Sequence, residues 1–194
     1  MVWVKGMTIR ERSRETVSAF FRAPEYLAVI GARKPDATAE SFTALLCLAE
    51  LLRERGIAPG VSLARDSAGR PFLPEYPALD FSITHSVGVA FCALSDGGRI
   101  GIDAELLRKF PNAQRLAARF FSPDERGEDF FRIWTRKEAY LKYLGTGMTP
   151  EGMPNGLAGL DTTRLAGVTF HEANKLGCLV TVCTRPDTTV EWKF

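Results

Sequence analysis

The sequence has few of the residues that build zinc or redox centres from sulfur and imidazole. It contains two histidines, His85 and His171, and four cysteines without a CxxC pair. A Cys/His zinc site therefore has little support. Each cysteine lies in an apolar context, so we expect free, buried thiols in a reducing cytoplasm. The cysteines are Cys47, Cys92, Cys178 and Cys183.

The sequence also lacks a large excess of charge of one sign and a long hydrophobic run. Its 25 basic and 23 acidic residues leave a net charge of +2, too balanced to indicate nucleic-acid binding. The apolar stretch VGVAFCAL, at 87–94, is far too short to cross a bilayer. We expect no secretory signal, because the first residues form no continuous apolar segment. We therefore expect a cytoplasmic protein with neither a nucleic-acid nor a membrane partner.

The composition is that of a globular chain, with 45% apolar and 25% charged residues. A length of 194 residues suffices for one domain or for two small halves packed together. Residues 1–9 predict a first strand, and 39–55 carry the apolar stripe of a helix. Residues 79–95 predict a strand, an interruption at 85–86 and a second apolar element.

The second half of the chain again combines a long helix with strands. Ser122, Pro123 and Glu125 have the pattern of a capping box. We predict that they open a helix that runs, with a break near Gly127, to Leu144. Alternating segments then predict three antiparallel strands, and the fold class is α+β. The three segments are 166–172, 177–184 and 189–194.

The hexapeptide IGIDAE, at 100–105, places two carboxylates on a strand that otherwise has a buried pattern. Side chains alternate across a strand, so Asp103 and Glu105 share the face opposite Ile102. The two acids lie about 6.6 Å apart along the strand, at about 3.3 Å of rise per residue. At that spacing both can bind one hard cation. For the hexapeptide alone, a solvated acidic strand edge is the simpler explanation.

The segment WTRKEAYLKYLGTGM, at 134–148, carries a third acid. Thr135, Glu138 and Lys142 follow at i, i+3 and i+7, so they line one face of the predicted helix. A glutamate–lysine pair on a solvated face accounts for this segment taken alone.

The segment FSITHS, at 81–86, brings a histidine next to two hydroxyl groups. His85 lies between Thr84 and Ser86, just before Gly88. The cluster fits a phosphate contact, and a turn with local side-chain hydrogen bonds fits it equally well. Together, the three carboxylates, the lysine and this histidine suit a Mg²⁺ ion that bridges phosphate oxygens.

Four motifs in a fixed order identify a family. FSITHS, GIDAE, FFSPDE and WTRKEAYLKYLGTGM together resemble the 4'-phosphopantetheinyl transferase superfamily, in particular its longer, single-chain, pseudo-dimeric branch. WTRKEA is the most diagnostic of the four. The resemblance is good over about 69–148 and faint elsewhere.

The resemblance implies a reaction and a set of site residues. Coenzyme A donates its phosphopantetheine arm to a serine of an apo acyl or peptidyl carrier protein, and adenosine 3',5'-bisphosphate is released. The implied cofactor is Mg²⁺, with Mn²⁺ as an alternative. The implied metal ligands are Asp103, Glu105 and Glu138. The implied catalytic residues are Glu138, Lys142 and His85. The implied coenzyme A contacts are Arg70, Thr84, His85 and Lys142.

The same resemblance implies an architecture. We expect a monomer built from two similar halves packed as an intramolecular pseudo-dimer, each a long helix against a small antiparallel sheet. Residues 1–95 would form the N-terminal half, with coenzyme A contacts. Residues 96–194 would form the C-terminal half, with the metal-binding strand and the WTRKEA helix.

The mechanism and two alternatives remain open at this stage. Glu138 deprotonates the carrier serine directly or through a metal-bound water, and an in-line attack on the β-phosphorus follows. A Mg²⁺-dependent hydrolase of nucleotide pyrophosphates would use the same groups with water as nucleophile. A coenzyme A- or carrier-binding paralogue without catalysis is the second alternative, and the intact site residues argue against it.

Two basic regions are candidate contacts for anions. Arg33 and Lys34 suit a 3'-phosphate or are exposed loop charges. A second basic segment suits an acidic carrier or forms a solvated face. It contains Arg108, Lys109, Arg115 and Arg119.

Overall fold

The computed structural model describes residues 1–9, 13–146 and 161–194. Its elements form four layers, in which two sheets pack face to face and a long helix covers the outer face of each. This arrangement confirms the α+β class. The helices are α1 (Ser13–Phe20), α2 (Pro24–Gly31), α3 (Pro35–Arg53), α4 (Ala113–Phe120) and α5 (Phe130–Leu144). The strands are β1 (Val2–Thr8), β2 (Phe21–Arg22), β3 (Val61–Ser62), β4 (Ala64–Arg65), β5 (Pro71–Phe72), β6 (Asp80–Ser86), β7 (Val89–Ser95), β8 (Gly101–Leu106), β9 (Thr169–Lys175), β10 (Cys178–Thr184) and β11 (Val190–Lys193).

The first sheet has the strand order β11-β1-β7-β6, and α3 packs against it. β7 lies in its interior and is buried on both faces, which explains its unbroken apolar sequence. Phe91 and Ala93 face the second sheet, whereas Cys92 and Leu94 face the core that includes α3. The helix begins at Pro35, in the first-turn position that proline favours, four residues earlier than the sequence predicts.

The second sheet has the order β8-β10-β9, and both of its strand pairs are antiparallel. The prediction of three antiparallel strands in this region is wrong for the third. β11 instead runs parallel to β1 at the edge of the first sheet. The first sheet is therefore mixed, whereas an antiparallel sheet is predicted for each half. Two-residue alternation identifies a strand and its faces, but it contains no information about which strand lies beside it.

The two sheets meet where β6 runs alongside β8. Polar side chains of β6 accept hydrogen bonds from backbone amides in β8 and just before it, so these amides are satisfied without a strand-to-strand ladder. The amide of Ile100 donates to Asp80 Oδ2 at 2.8 Å, that of Ile102 to Ser82 Oγ at 3.2 Å and that of Leu106 to Ser86 Oγ at 3.1 Å. The polar, even-numbered residues of β6 therefore face the strand that carries the two acids.

The predicted helix from Ser122 to Leu144 is divided in the structure. Half of the predicted capping box forms, since Glu125 Oε2 accepts from the amide of Ser122 at 2.9 Å, but it closes a short 3-10 turn at Pro123–Glu125. The helix α5 starts separately, and its N-cap Asp129 accepts a hydrogen bond from the amide of Arg132. The helix ends at Gly145, whose φ of 73° is left-handed. The glycine at 147, also predicted at this end, lies outside the described residues.

Gly101 lies where β8 comes closest to α5. A Cβ at this position would overlap the carbonyl oxygen of Ala139 and lie 2.5 Å from the amide nitrogen of Tyr143. Both obstacles belong to the helix backbone, so no side-chain rotation can make room. The glycine of the GIDAE motif therefore permits the close packing of α5 on the acid-bearing strand.

Gly101→Ala is expected to lower the free energy of unfolding by about 3 kcal/mol or more, because α5 must move away from β8. Urea denaturation measures the loss. Gly127→Ala is the matched control, since a Cβ there meets no described atom within 4 Å. We expect the control to change stability by less than about 0.5 kcal/mol. Equal losses in the two variants would contradict the packing explanation.

Two further predictions concern the whole molecule. The similarity of the two halves as a pseudo-dimer and the division at residue 95 stay predictions.

Among the described residues, no helix combines the length and the apolar character needed to cross a membrane.

Candidate active site

The predicted site residues surround a cavity of about 630 Å³. It opens between α2, α3 and β6 on one side and β8 and α5 on the other. Six of the seven predicted site residues line it. They are Thr84, His85, Asp103, Glu105, Glu138 and Lys142.

Asp103 is buried in the wall formed by β8. Its Oδ1 accepts hydrogen bonds from Thr84 Oγ1 at 3.0 Å and from Lys142 Nζ at 2.7 Å. The same ammonium group donates to the carbonyl oxygen of Ile102 at 3.0 Å. Asp103 therefore connects β6, β8 and α5 at the wall of the cavity.

Glu105 lies two residues further along the same strand face, as predicted, and is half-buried. Burial raises its pKa, and the negative charge of Asp103 adds to the rise. A hydrogen bond from Ser86 Oγ, 3.0 Å from Glu105 Oε2, acts in the opposite direction. The positive charges of Arg108 and Lys142 also lower this pKa. The repulsion expected between neighbouring acids is therefore present in the folded protein.

Glu138 projects from α5 toward these two acids and is only 4% exposed. Its pKa is raised to about 7, mainly by burial and next by the charge of Asp103. Lys142 lowers this pKa, and Glu105 adds a smaller rise. The cavity therefore concentrates negative charge that a bound cation would stabilise.

The three carboxylates line one cavity, but their side chains are not positioned together as a set of metal ligands. Within residues 1–9, 13–146 and 161–194, no group of three or more His, Cys, Asp or Glu side chains is arranged to hold a metal ion. The donors nevertheless fit Mg²⁺, because all are carboxylate oxygens. Repulsion between neighbouring acids contributes to the raised pKa values of Glu105 and Glu138, and a bound cation would relieve it. Mg²⁺ commonly uses one or two carboxylates and completes its shell with water and substrate phosphate.

Two arginines also line the cavity. Arg33, one of the two candidates for a 3'-phosphate, lines the cavity and donates to Ser41 Oγ at 3.3 Å. Arg65 also lines it, with its guanidinium 4.5 Å from the ring centroid of Tyr26. The second candidate, Lys34, is exposed and is not among the lining residues. Carboxylates facing cations suit a polyphosphate that carries a divalent ion.

His85 lies in the wall nearest α3. Its Nδ1 is 2.8 Å from Glu40 Oε2. Burial lowers the pKa of His85, and the charges of Lys142 and Arg33 add to this effect. The Glu40 carboxylate acts to raise the pKa.

Arg70 is the one predicted site residue that does not line this cavity. Its guanidinium donates to Asp80 Oδ2 at 2.7 Å and to the carbonyl oxygens of Phe81, Ile100 and Lys142. It therefore ties the C-terminal turn of α5 to the start of β6 and β8. The coenzyme A contact expected from the resemblance stays a prediction.

Comparison with known proteins agrees with this geometry. The sequence model of the 4'-phosphopantetheinyl transferase superfamily matches residues 99–178 of this chain. The chain is 31% identical over 140 residues to the 4'-phosphopantetheinyl transferase AcpT of Escherichia coli strain K12, covering 66% of this chain and 68% of that protein. This chain belongs to the 4'-phosphopantetheinyl transferase superfamily.

Two other members of the superfamily align over less of their length. The 4'-phosphopantetheinyl transferase HetI of Nostoc is 39% identical over 108 residues, 48% of this chain and 46% of HetI. A 4'-phosphopantetheinyl transferase of Bacillus subtilis is 30% identical over 128 residues, 60% of this chain and 56% of that protein. The chain thus spans about half of the length of these two relatives.

The superfamily match covers only part of the cavity. Asp103, Glu105, Glu138 and Lys142 fall within the matched residues, whereas Thr84 and His85 precede them.

Sequence reasoning missed Tyr26, Glu40 and Arg65 altogether. These residues lie in helices and a two-residue strand outside the four motifs, and no spacing in the sequence relates them to the acids.

Proposed function

We propose that this protein transfers the 4'-phosphopantetheine arm of coenzyme A to a serine of an apo acyl or peptidyl carrier protein. One observation carries the proposal: a member of this superfamily has three carboxylates, a lysine and a histidine around a single cavity. Adenosine 3',5'-bisphosphate is the second product. The proposed metal is Mg²⁺, with Mn²⁺ as a substitute.

The residues that would hold the metal are Asp103, Glu105 and Glu138. The ion, when bound, neutralises charge on the pyrophosphate of coenzyme A. Lys142 and His85 reach the same cavity and would bind phosphate oxygens of the departing bisphosphate. Arg33 and Arg65 line the same cavity and would bind the nucleotide end of coenzyme A.

The reaction needs one proton transfer and one exchange of bonds at phosphorus. Glu138 would act as the general base and accept the proton of the serine hydroxyl, directly or through a bound water. The serine oxygen bonds to the β-phosphorus, which carries the pantetheine. The bond from that phosphorus to the bridging oxygen breaks, and the bridging oxygen leaves with the bisphosphate and the electron pair.

The decisive experiment is intact-mass analysis of a panel of apo-carriers after incubation with coenzyme A and Mg²⁺. We expect a mass increase of one phosphopantetheine group on at least one carrier, and none without the metal. Consumption of coenzyme A at the same rate without any carrier would instead identify a hydrolase. Binding of coenzyme A without either reaction would identify an inactive paralogue.

The basic segment that precedes α5 is the proposed docking surface for the carrier. All four of its basic residues are exposed, and the first of them, Arg108, acts on the pKa of Glu105. The segment therefore begins at the edge of the carboxylate site. Acidic carriers would be attracted to it at a distance, mainly through the association rate.

Replacement of both Arg115 and Arg119 by glutamate is expected to raise the KM for the carrier about tenfold and to leave the KM for coenzyme A unchanged. Steady-state kinetics at low ionic strength measure both constants. Arg22→Glu combined with Lys175→Glu makes the same charge change on other elements and is the matched control. A carrier KM that changes equally in both double variants would reject the docking surface.

The state and location of the protein are part of the same proposal. All four cysteines are buried and free, which fits a reducing compartment such as the cytoplasm. We propose a monomer in which each sheet and the long helix on its outer face form one half of a pseudo-dimer. Light scattering coupled to gel filtration tests the monomeric state.

A further inference from the structure

Glu40 connects α3 to the histidine of the cavity. Its Oε2 is 2.8 Å from Nδ1 of His85, and its Oε1 accepts a hydrogen bond from the amide of Gly88 at 3.0 Å. The Glu40 side chain is 14% exposed and is not among the residues that line the cavity. Both carboxylate oxygens are thus engaged, one by the imidazole and one by the turn between β6 and β7.

This contact determines which ring nitrogen of His85 carries a proton. An ionised carboxylate can only accept hydrogen bonds, so Nδ1 of His85 must donate. The other nitrogen, Nε2, is then the one left for a ligand in the cavity, and in the imidazolium form it also carries a proton that it can donate to a phosphate oxygen. The hydrogen bond from the Gly88 amide holds the Glu40 carboxylate in place, so that it does not rotate together with the imidazole ring.

We propose that Glu40 is a positioning residue that holds His85 with Nε2 toward the phosphates of the bound substrate. The inference rests on the proposed function, since it takes coenzyme A as the ligand. It goes beyond that function by naming a residue outside the cavity wall that acts through the histidine. Carboxylate partners of this kind commonly set the tautomer and orientation of functional histidines.

The charges around the ring are consistent with this role. Glu40 on α3 acts to raise the pKa of His85 and so favours the imidazolium form, which binds phosphate best. Burial, Lys142 on α5 and Arg33 after α2 act in the opposite direction. Without Glu40, the ring would keep only the influences that disfavour its positive charge.

The first test is spectroscopic and needs no ligand. The chain has two histidines, so a long-range ¹H–¹⁵N spectrum of the full protein contains two imidazole rings. We expect wild-type His85 to show a protonated Nδ1, and Glu40→Ala and Glu40→Gln to shift its population toward the other tautomer. His171, whose Nε2 is 3.0 Å from Thr184 Oγ1, is the internal control and should not change. An unchanged His85 spectrum in both variants would overturn the proposal.

The second test is a double-mutant cycle on the affinity for coenzyme A, measured by calorimetry. We expect Glu40→Gln and His85→Ala each to raise the Kd about tenfold, and the double variant to be no weaker than His85→Ala alone. Full multiplication of the two effects would mean that Glu40 acts independently of His85, which would overturn the proposal. Glu50→Gln is the matched control on α3, since Glu50 pairs with Lys5 at 2.9 Å.

The two tests separate this inference from the function on which it rests. If wild-type protein binds no coenzyme A, the proposed function fails, and the tautomer spectrum still decides whether Glu40 orients His85. If coenzyme A binds and is transferred but the cycle is additive, the function stands and the positioning role is rejected.

Discussion

Glu138→Gln is expected to reduce phosphopantetheine transfer by about a thousandfold or more while the fold remains intact. The amide cannot accept the serine proton and is a weaker ligand for Mg²⁺, so one change removes both proposed roles. Intact-mass kinetics with an apo-carrier measure the loss. Glu128→Gln, which changes an exposed glutamate ten residues earlier, is the matched control. A rate within a few-fold of wild type in Glu138→Gln would reject the assigned role.

The same substitution is expected to stabilise the metal-free protein at pH 8. The pKa of Glu138 is raised from 4.5 to about 7, so the folded state binds its proton more tightly than the unfolded state. Stability from this group is therefore present below pH 4.5 and is lost as the pH rises through about 7. At pH 8 the buried carboxylate costs on the order of 3 kcal/mol, which glutamine does not incur.

Urea denaturation of wild type and Glu138→Gln at pH 8 and pH 4.5 tests this sign. We expect the variant to be the more stable protein at pH 8 and the difference to shrink at pH 4.5. Reduced stability of the variant at both values would show that Glu138 is needed for the fold. A residue that costs stability while activity depends on it is typical of a functional site.

Glu125→Ala is expected to lower the free energy of unfolding by about 3–5 kcal/mol, because it breaks a fully buried ion pair. Lys137 Nζ lies 2.8 Å from Glu125 Oε2, and both side chains are 0% exposed. Glu125 Oε1 also accepts from the amide and the hydroxyl of Thr162 at 2.7 Å each, and the amide of Ser122 donates to Oε2. The substitution leaves a buried ammonium group without its ion-pair partner and three donors without their acceptor.

Lys137→Met and Asp124→Asn are the comparisons for this prediction. Lys137→Met should cost less than Glu125→Ala, because Glu125 keeps its bonds from Thr162 and Ser122. The side chains of Asp124 and Arg164 form an ion pair and are 52% and 73% exposed. Loss of this exposed pair should lower the free energy of unfolding by at most about 1 kcal/mol. Equal stabilities of Glu125→Ala and Asp124→Asn in urea would contradict the assigned role of the buried pair.

The pH dependence of this pair has a definite sign. Burial acts to raise the pKa of Glu125, but hydrogen bonds from Lys137, Thr162 and Ser122 hold it below its ordinary value of 4.5. The stability contributed by its ionisation is therefore present above pH 4.5 and is lost as the pH falls through the lower folded-state pKa.

Much of the fold could be predicted because it depends on local patterns. The strand β1, the long helix α3 and the alternation of β8 follow from the spacing of apolar residues. The short helices α1, α2 and α4 were not predicted. Each has eight residues, too few turns for a hydrophobic stripe to stand out from the background.

In the candidate site, too, some residues could be predicted from local patterns and others could not. The acids of β8 and α5 could be named from their motifs, since strand and helix periodicity place each on a definite face. Arg65 and Glu40 could not, because they reach the cavity only through the packing of other elements. Arg70 could be named from the resemblance, yet the direction of its side chain depends on four acceptors in β6, in α5 and just before β8.

By itself the sequence determined the class of chemistry and the types of the main elements, because residue identity and periodicity are properties of short segments. Only the tertiary structure decided that β11 joins β1, that α5 packs on Gly101 and that Arg33 and Arg65 line the same cavity as the acids. These features depend on contacts between residues far apart in the chain. Burial then sets the charge balance of the cavity, since the pKa of Glu138 depends on neighbours about 35 residues away in β8.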